Sequence, residues 1–262
     1  MKEDTLQRLG TWFDNYVAGF KSTDSTLNQA INLKEEHTRR VCREILHIAR
    51  SLELNDEIVQ LAETAALFHD IGRFEQYRRY RTFSDMASVN HAELGITVLK
   101  EKRVLHILSK SDQNIILRAI NYHNRMKLPD SENERCLLLG KLLRDADKLD
   151  IWNVMLSSYE RDNGERDEAL ELGLPDTPGF SEQIYVDLRS GAIAEMQNVV
   201  NRNDLKLLQL GWVYDINFKP SFIRIRERKY LERFRGVLPA SREIDDLINL
   251  IDKHLLAQTE TR

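Results

Sequence analysis

Proline is scarce in this chain, with five in 262 residues, and glycine is held to eleven. With so few breakers, most of what lies between them carries a 3.6-residue hydrophobic period. Cysteine is scarcer still. Cys42 and Cys136 fall inside helical patterns and form no CxxC pair, which argues against a metal ribbon or a disulfide framework and for two reduced core thiols. No apolar run approaches a membrane span, and no cationic segment leads into a short apolar stretch at the start. The expectation is a cytoplasmic protein with no membrane partner. A large charge of one sign is also missing. A net charge of −4 and a pI near 6.0 leave no global case for binding nucleic acid or an anionic lipid surface.

What is present is ordinary soluble composition, 42% hydrophobic and 31% charged, in a chain long enough for one large domain or a core with an added lobe. The stretch 33–52 aligns His37, Val41, Ile45, Ile48 and Leu52 on one stripe. Asn32 stands as a candidate N-cap, with Glu35 three residues on as in a capping box. A second helix from Asn55 or Asp56 places Ile58, Leu61, Ala65 and His69 on one face, with Ala62 and Ala66 beneath Asp70. Gly72 is placed to end it in a left-handed conformation. A helix from about Ser88 carries His91, Leu94, Val98 and Leu99. Another, opened by Ser111 or Asp112, aligns Ile116, Ala119 or Ile120, and His123. From 135 to 159, Leu139, Leu143, Asp147, Ile151 and Met155 recur at i+4. In four of these segments a histidine or aspartate follows apolar residues on the inward stripe, where a solvated polar residue would not be placed.

Between 161 and 180 the period breaks at Asn163-Gly164, Gly173, Pro175, Pro178 and Gly179, and a loop is predicted. Helical texture returns over 181–262, including the basic run Arg224–Arg235, which reads as a surface face held by i,i+4 pairs with Glu227 and Glu232. Ile223-Arg224-Ile225-Arg226 alternates, but is too short to make a strand. The predicted organisation is a helical core at 1–160, a loop at 161–180 and a helical region at 181–262 packed on that core. The fold class is all-α.

His37, His69-Asp70, His91, His123 and Asp147 therefore fall in the order H…HD…H…H…D. Imidazole and carboxylate ligands converging inside a helical bundle suit first-row divalent ions. Burying so many polar groups costs several kcal/mol or more unless each is satisfied, and cations satisfy them together. His47, His106 and His254 have nothing metal-like around them and are set aside.

The flanking sequences HDIGRFEQ (69–76), NHAELGITVLK (90–100), AINYHN (119–124) and RDADKLDIW (144–152) resemble the HD-domain superfamily of metal-dependent phosphohydrolases, over roughly residues 33–155. The resemblance implies a helical HD-domain bundle with additional C-terminal helices. It also implies that His37, His69, Asp70 and Asp147 bind one ion, while His91 and His123 bind a second that shares Asp70. One or two divalent ions per chain (Mn, Fe, Ni, Co, Zn or Mg) are the implied cofactors. Asp145 and Asp150 compete with Asp147, and Asp150 is expected to orient a ligand.

Two such ions would lower the pKa of a bound water and clamp a phosphoryl group. With Asp70, the expected catalytic residues are Arg73, after the HDIG turn, and Lys148, after the last aspartate. A structural ion pair is an equal alternative for Lys148. Asn124, Arg125 and Arg78 are expected to bind substrate. Arg78 lies in the basic, aromatic-interleaved stretch 76–81, most of which is expected to be a solvated loop.

Two subfamily signatures are absent. No GYP follows the HD motif, and nothing matches the Glu-Asp pair of alarmone hydrolases. Members similar to myo-inositol oxygenase share the ligand order. The expectation is a phosphohydrolase acting on a small phosphorylated metabolite, a nucleotide foremost. The alternatives are a di-iron oxygenase on the same scaffold or a non-catalytic metal-binding regulatory module. A homo-oligomer is compatible with the sequence.

Overall fold

A computed structural model describes residues 3–161 and 171–260. Among the described residues the fold is all-α, with no strand. It separates into two compact units, Met1–Asp147 and Lys148–Arg262.

The first unit contains α1 (Glu3–Ala18), α2 (Ser25–Ser51), α3 (Asp56–Phe68), α4 (Ile71–Tyr80), α5 (His91–Glu101), α6 (Lys110–His123) and the first half of α7 (Glu134–Tyr159). The second half of α7 belongs to the other unit. Helix α2 starts earlier than its stripe predicted. Asp24 accepts from the Leu27 amide at 3.0 Å and caps it, and Leu27 and Ile31 already face the core, so Asn32 lies inside the helix. Asn55 caps α3 as expected. Helices α5 and α6 also start at side-chain caps. Asn90 caps α5 and Ser109 caps α6, which leaves Ser88 in the preceding loop. Helix α1 supplies aromatic cover, with the Phe13 ring centroid 6.5 Å from Phe68 and 6.0 Å from Phe74.

Gly72 departs from its predicted role. Helix α3 stops at Phe68, a new helix opens at Ile71, and Gly72 sits within it at ordinary negative φ. A Cβ there would collide with the His91 carbonyl oxygen and lie 2.6 Å from the Gly95 amide nitrogen. Its absence lets α4 and α5 touch backbone to backbone, which brings His91 beside Asp70. Residues 76–80 are likewise the second half of α4 rather than a loop, and Arg81 ends the helix in the left-handed region. Gln76 and Tyr77 are buried, while Arg78, Arg79 and Tyr80 face outward.

Helix α7 runs unbroken across the division between the units. Cys136, Leu139, Leu142, Leu143 and Ala146 are buried before it, and Leu149, Trp152, Met155 and Leu156 after it. No proline or glycine marks the division, which falls before the expected break at 161–180. Of that break, Asn163-Gly164 and the rest of 162–170 lie outside the described residues. Residues 171–180 are non-helical, with Gly173 and Gly179 at positive φ.

The second unit adds α8 (Glu182–Arg189), α9 (Arg202–Gly211), α10 (Lys219–Glu227), α11 (Tyr230–Val237) and α12 (Arg242–Glu260). Trp152 anchors it, donating to the Gln209 carbonyl at 2.8 Å and packing against Trp212, Tyr230 and Phe234. The basic run is two helices, broken at Lys229 in the left-handed region. Arg224 pairs with Glu227 at i,i+3, but Arg233 and Arg235 reach Glu160 and Asp245 on other helices. Both cysteines are free.

Gly72→Ala would press its Cβ into the His91 carbonyl oxygen and within 2.6 Å of the Gly95 nitrogen, whereas the nearest atoms to a Cβ on Gly95 are the Ile71 Cγ2 methyl at 3.1 Å and the Gly72 nitrogen at 3.2 Å. Overpacking of this kind costs roughly 1–3 kcal/mol. Urea unfolding should show Gly72→Ala as clearly the more damaging of the two. Equal stability of the variants would remove the backbone contact as the reason for glycine.

Candidate metal centre

Four of the six predicted ligands stand at helix ends. His69 and Asp70 form the junction between α3 and α4, His91 is the first residue of α5, and His123 is the last of α6. His37 and Asp147 lie in the long helices α2 and α7. All but Asp147 are buried, and it is half-buried.

Their distances define two groups joined by one carboxylate. His37 Nε2 is 3.1 Å from Asp147 Oδ1, 3.3 Å from His69 Nε2 and 3.5 Å from Asp70 Oδ2. His69 Nε2 is 3.5 Å from Asp147 Oδ1 and 3.7 Å from Asp70 Oδ2. On the other side, His91 Nε2 is 3.0 Å from His123 Nε2, and these lie 3.3 and 3.9 Å from Asp70 Oδ1. Asp70 thus turns one oxygen toward each group. Asp145 is fully buried and Asp150 nearly so, yet it is Asp147 whose oxygen reaches the histidines.

The proton inventory shows what these groups require. His69 Nδ1 is 2.7 Å from the Ala66 carbonyl, and His123 Nδ1 is 2.6 Å from the Ile120 carbonyl. His91 Nδ1 is 2.7 Å from Asp85 Oδ2. Each acceptor demands an N–H at Nδ1. Burial, reinforced by Arg73, lowers the His91 pKa. Burial, with His91 and His69 nearby, pushes that of His123 down to about 3. Both rings are neutral near pH 7, so each Nε2 carries a bare lone pair. His91 and His123 therefore face each other lone pair to lone pair at 3.0 Å, with a carboxylate oxygen beside them. Asp147 Oδ1 is buried with no hydrogen-bond donor. Such converging acceptors call for a cation. Atoms bound to one ion at about 2.0–2.2 Å, at right-angled or tetrahedral positions, lie roughly 3–3.5 Å apart. The residues present fit divalent metal: His37, His69 and Asp70; His69, His123 and Asp147; and Asp70, His91 and His123 each form a set that could hold an ion.

Around this core lie groups the sequence did not single out. Lys34, three residues before His37 on the same face of α2, puts its ammonium 2.8 Å from Asp70 Oδ2. Burial alone would raise the Asp70 pKa, but Lys34, then His69 and Arg73, outweigh it and hold the carboxyl well below the ordinary range. Asp85, in the loop between α4 and α5, receives His91 Nδ1. Arg144, buried on α7 three residues before Asp147, donates to the carbonyls of Tyr122, His123, Arg125 and Met126 and thereby fastens the end of α6. Only Lys34 and Arg144 carried a readable signal, the i,i+3 spacing to a ligand. Asp85 sits where no periodicity operates.

The remaining predicted residues separate clearly. Arg73 Nη1 is held by Asp85 Oδ1 at 2.8 Å, Gln76 and the Phe83 carbonyl, while its buried Nε has no hydrogen-bond partner and lies 3.5 Å from Asp70 Oδ1. Asn124 donates to Asp85 and Asn90 at 3.2 and 3.1 Å. The structure does not bring Arg78 or Arg125 into the cluster. Arg78 binds Glu75 and lies over the Phe20 ring, and Arg125 lies over the Tyr122 ring. Lys148 pairs with Asp215 at 2.6 Å within the second unit.

Protein purified without chelator should carry between one and two transition-metal ions per chain by elemental analysis. Asp70→Ala should lose nearly all of them, since this carboxylate faces both groups, whereas His123→Ala should lose chiefly one. Wild-type stoichiometry in Asp70→Ala would rule out a shared carboxylate.

The family model of the HD domain matches residues 35–152. No curated protein and no solved structure matches the chain. The matched segment begins two residues before His37 and extends past Asp147, so it contains every member of the two ligand groups. Over residues 35–152 the chain is similar to the HD domain.

Proposed function

We propose that the chain is a two-metal phosphohydrolase that cleaves a phosphate ester of a small metabolite, a nucleotide foremost. The observation that carries this reading is Asp70 standing between two groups of histidine and aspartate side chains, one oxygen toward each, with two cationic side chains against it. In this reading His37, His69, Asp70 and Asp147 hold one ion, and Asp70, His91 and His123 the other. Metal bound there supplies a water ionised near neutral pH and positive charge for phosphoryl oxygens.

The protein's own part is to hold the reacting groups and balance charge. Arg73 is immobilised through Nη1, with its Nε turned toward Asp70, so that its charge stands beside the site for a phosphate. Lys34 has the charge and position to do the same from α2. It replaces Lys148 in the proposed phosphate-binding set, because the Lys148 ammonium is taken by Asp215. Asn124 and Arg144 act on the scaffold, keeping the ends of α5 and α6 in place.

The first test separates hydrolase from oxygenase. With Mn²⁺ under strict exclusion of oxygen, the protein should release phosphate or a nucleoside monophosphate from at least one nucleotide. Turnover that needs both iron and O₂ would overturn the proposal, because a hydrolase needs only water.

The second test concerns the cations. Arg73→Ala and Lys34→Met should keep their metal while losing roughly 10²-fold or more in kcat, the usual loss when a donor to developing charge is removed. Lys34→Met should bind metal at least as well as wild type, since it removes a positive charge 2.8 Å from a ligand oxygen. Full activity in both variants would make these side chains structural.

A further inference from the structure

Three histidines of the centre are set in one tautomer by an acceptor at Nδ1, and two of them find it in their own helix. His69 and His123 stand at C-terminal ends, where backbone carbonyls lack helical partners, and each donates to the carbonyl three residues back. His91 cannot do this. It is the first residue of α5, and a helix N-terminus offers free N–H groups rather than carbonyls. Its acceptor has to come from elsewhere, and it comes from Asp85 in the preceding loop at 2.7 Å.

Asp85 does more than accept from one ring. Its Oδ1 receives Arg73 Nη1 at 2.8 Å and Gln76 Nε2 at 2.9 Å, and its Oδ2 receives His91 and Asn124 Nδ2 at 3.2 Å. All four neighbours are donors. Only a group with two acceptor oxygens satisfies them, and an amide would present N–H groups to donors on one side. The partners behind it are fixed too. Gln76 is fully buried and also reaches Ser88 and the Val89 carbonyl, which pins the loop that carries Asp85.

We infer that Asp85 is the positioning residue of the second metal site: it holds His91 with Nε2 unprotonated toward Asp70, and with its other oxygen holds Arg73 against the same carboxylate. The inference rests on the two-metal reading above. Through Asp85, the ligand of one ion and the guanidinium proposed for phosphate share a single anchor. Outer carboxylates of this kind typically govern metal affinity by 10–100-fold.

The test compares Asp85→Asn, Asp85→Ala and Ser88→Ala with wild type. Ser88→Ala removes a contact of the same loop without touching His91 or Arg73. In Mn²⁺ titrations of metal-free protein, the two Asp85 variants should bind the second ion about 10–100-fold more weakly and the first within about twofold. Ser88→Ala should bind both as wild type does. Long-range ¹H–¹⁵N correlations on the metal-free protein should show His91 as the Nδ1–H tautomer in wild type and Ser88→Ala, and as a mixture in Asp85→Ala. The inference is overturned if the second ion binds unchanged without Asp85, if both ions weaken equally, or if the His91 tautomer does not respond. A wild type that takes up no second ion would instead refute the two-metal reading. The tautomer measurement would still decide whether Asp85 positions His91.

Discussion

At the centre of the first unit, the electron pairs of His91 and His123 face one another without a proton between them. Two imidazole nitrogens 3.0 Å apart, both neutral and both protonated on the far side, repel rather than bond. A carboxylate lies between them and a second group of acceptors. A fold that assembles this must stabilise it from outside, and the surroundings are arranged accordingly. Lys34 balances charge on Asp70, Arg144 ties down the end of α6, and the bare contact of Gly72 with α5 holds His91 in range. Each is worth at most a few kcal/mol. Together they oppose the repulsion that a bound cation would turn into attraction.

The positions of the ligands explain how backbone and metal chemistry are joined. A histidine at the last position of a helix meets an unpaired carbonyl three residues back, so ending α3 at Phe68 and α6 at His123 also selects a tautomer. The helix terminus and the exposed Nε2 lone pair are one event. At the start of α5 the same economy is unavailable, and a loop carboxylate takes over. His37 and Asp147 need no such device to reach the centre, since long helices present them in mid-span on stripes that already face inward.

This division also governs what could be read from the amino-acid pattern. The all-α class was legible because a 3.6-residue period fills chain with few breakers. The six candidate ligand positions stood out because they extend apolar stripes and because the spacing H…HD…H…H…D resembles one family. Gly72 was misread: glycine after an apolar run looks like a helix stop, and only the approach of α5 gives it another reason to lack a side chain. The cap at Asp24 was missed because a shorter stripe already looked complete with Asn32 in front of it. The division at Asp147 left no mark in the chain, because α7 continues through it with no proline or glycine at that point.

Charged residues were the hardest to place, for a physical reason. A cation beside a metal motif in sequence has several acids within reach in space, and a neighbour in the chain has no priority among them. Lys148 follows Asp147 directly, but a step of one on a helix turns the side chain by about 100°, and its ammonium goes to Asp215. Lys34 is more than thirty residues from Asp70 in the chain and binds it at 2.8 Å, because i and i+3 on α2 share a face and His37 already points there. Proximity to a motif singled out Lys148, whereas register with a candidate ligand would have singled out Lys34. The same rule picks out Arg144, three residues before Asp147, and it fails for Asp85, which lies on no helix. A residue whose role is to satisfy donors from three separate segments has no pattern of its own in the chain. It can be found only once those donors have been brought together.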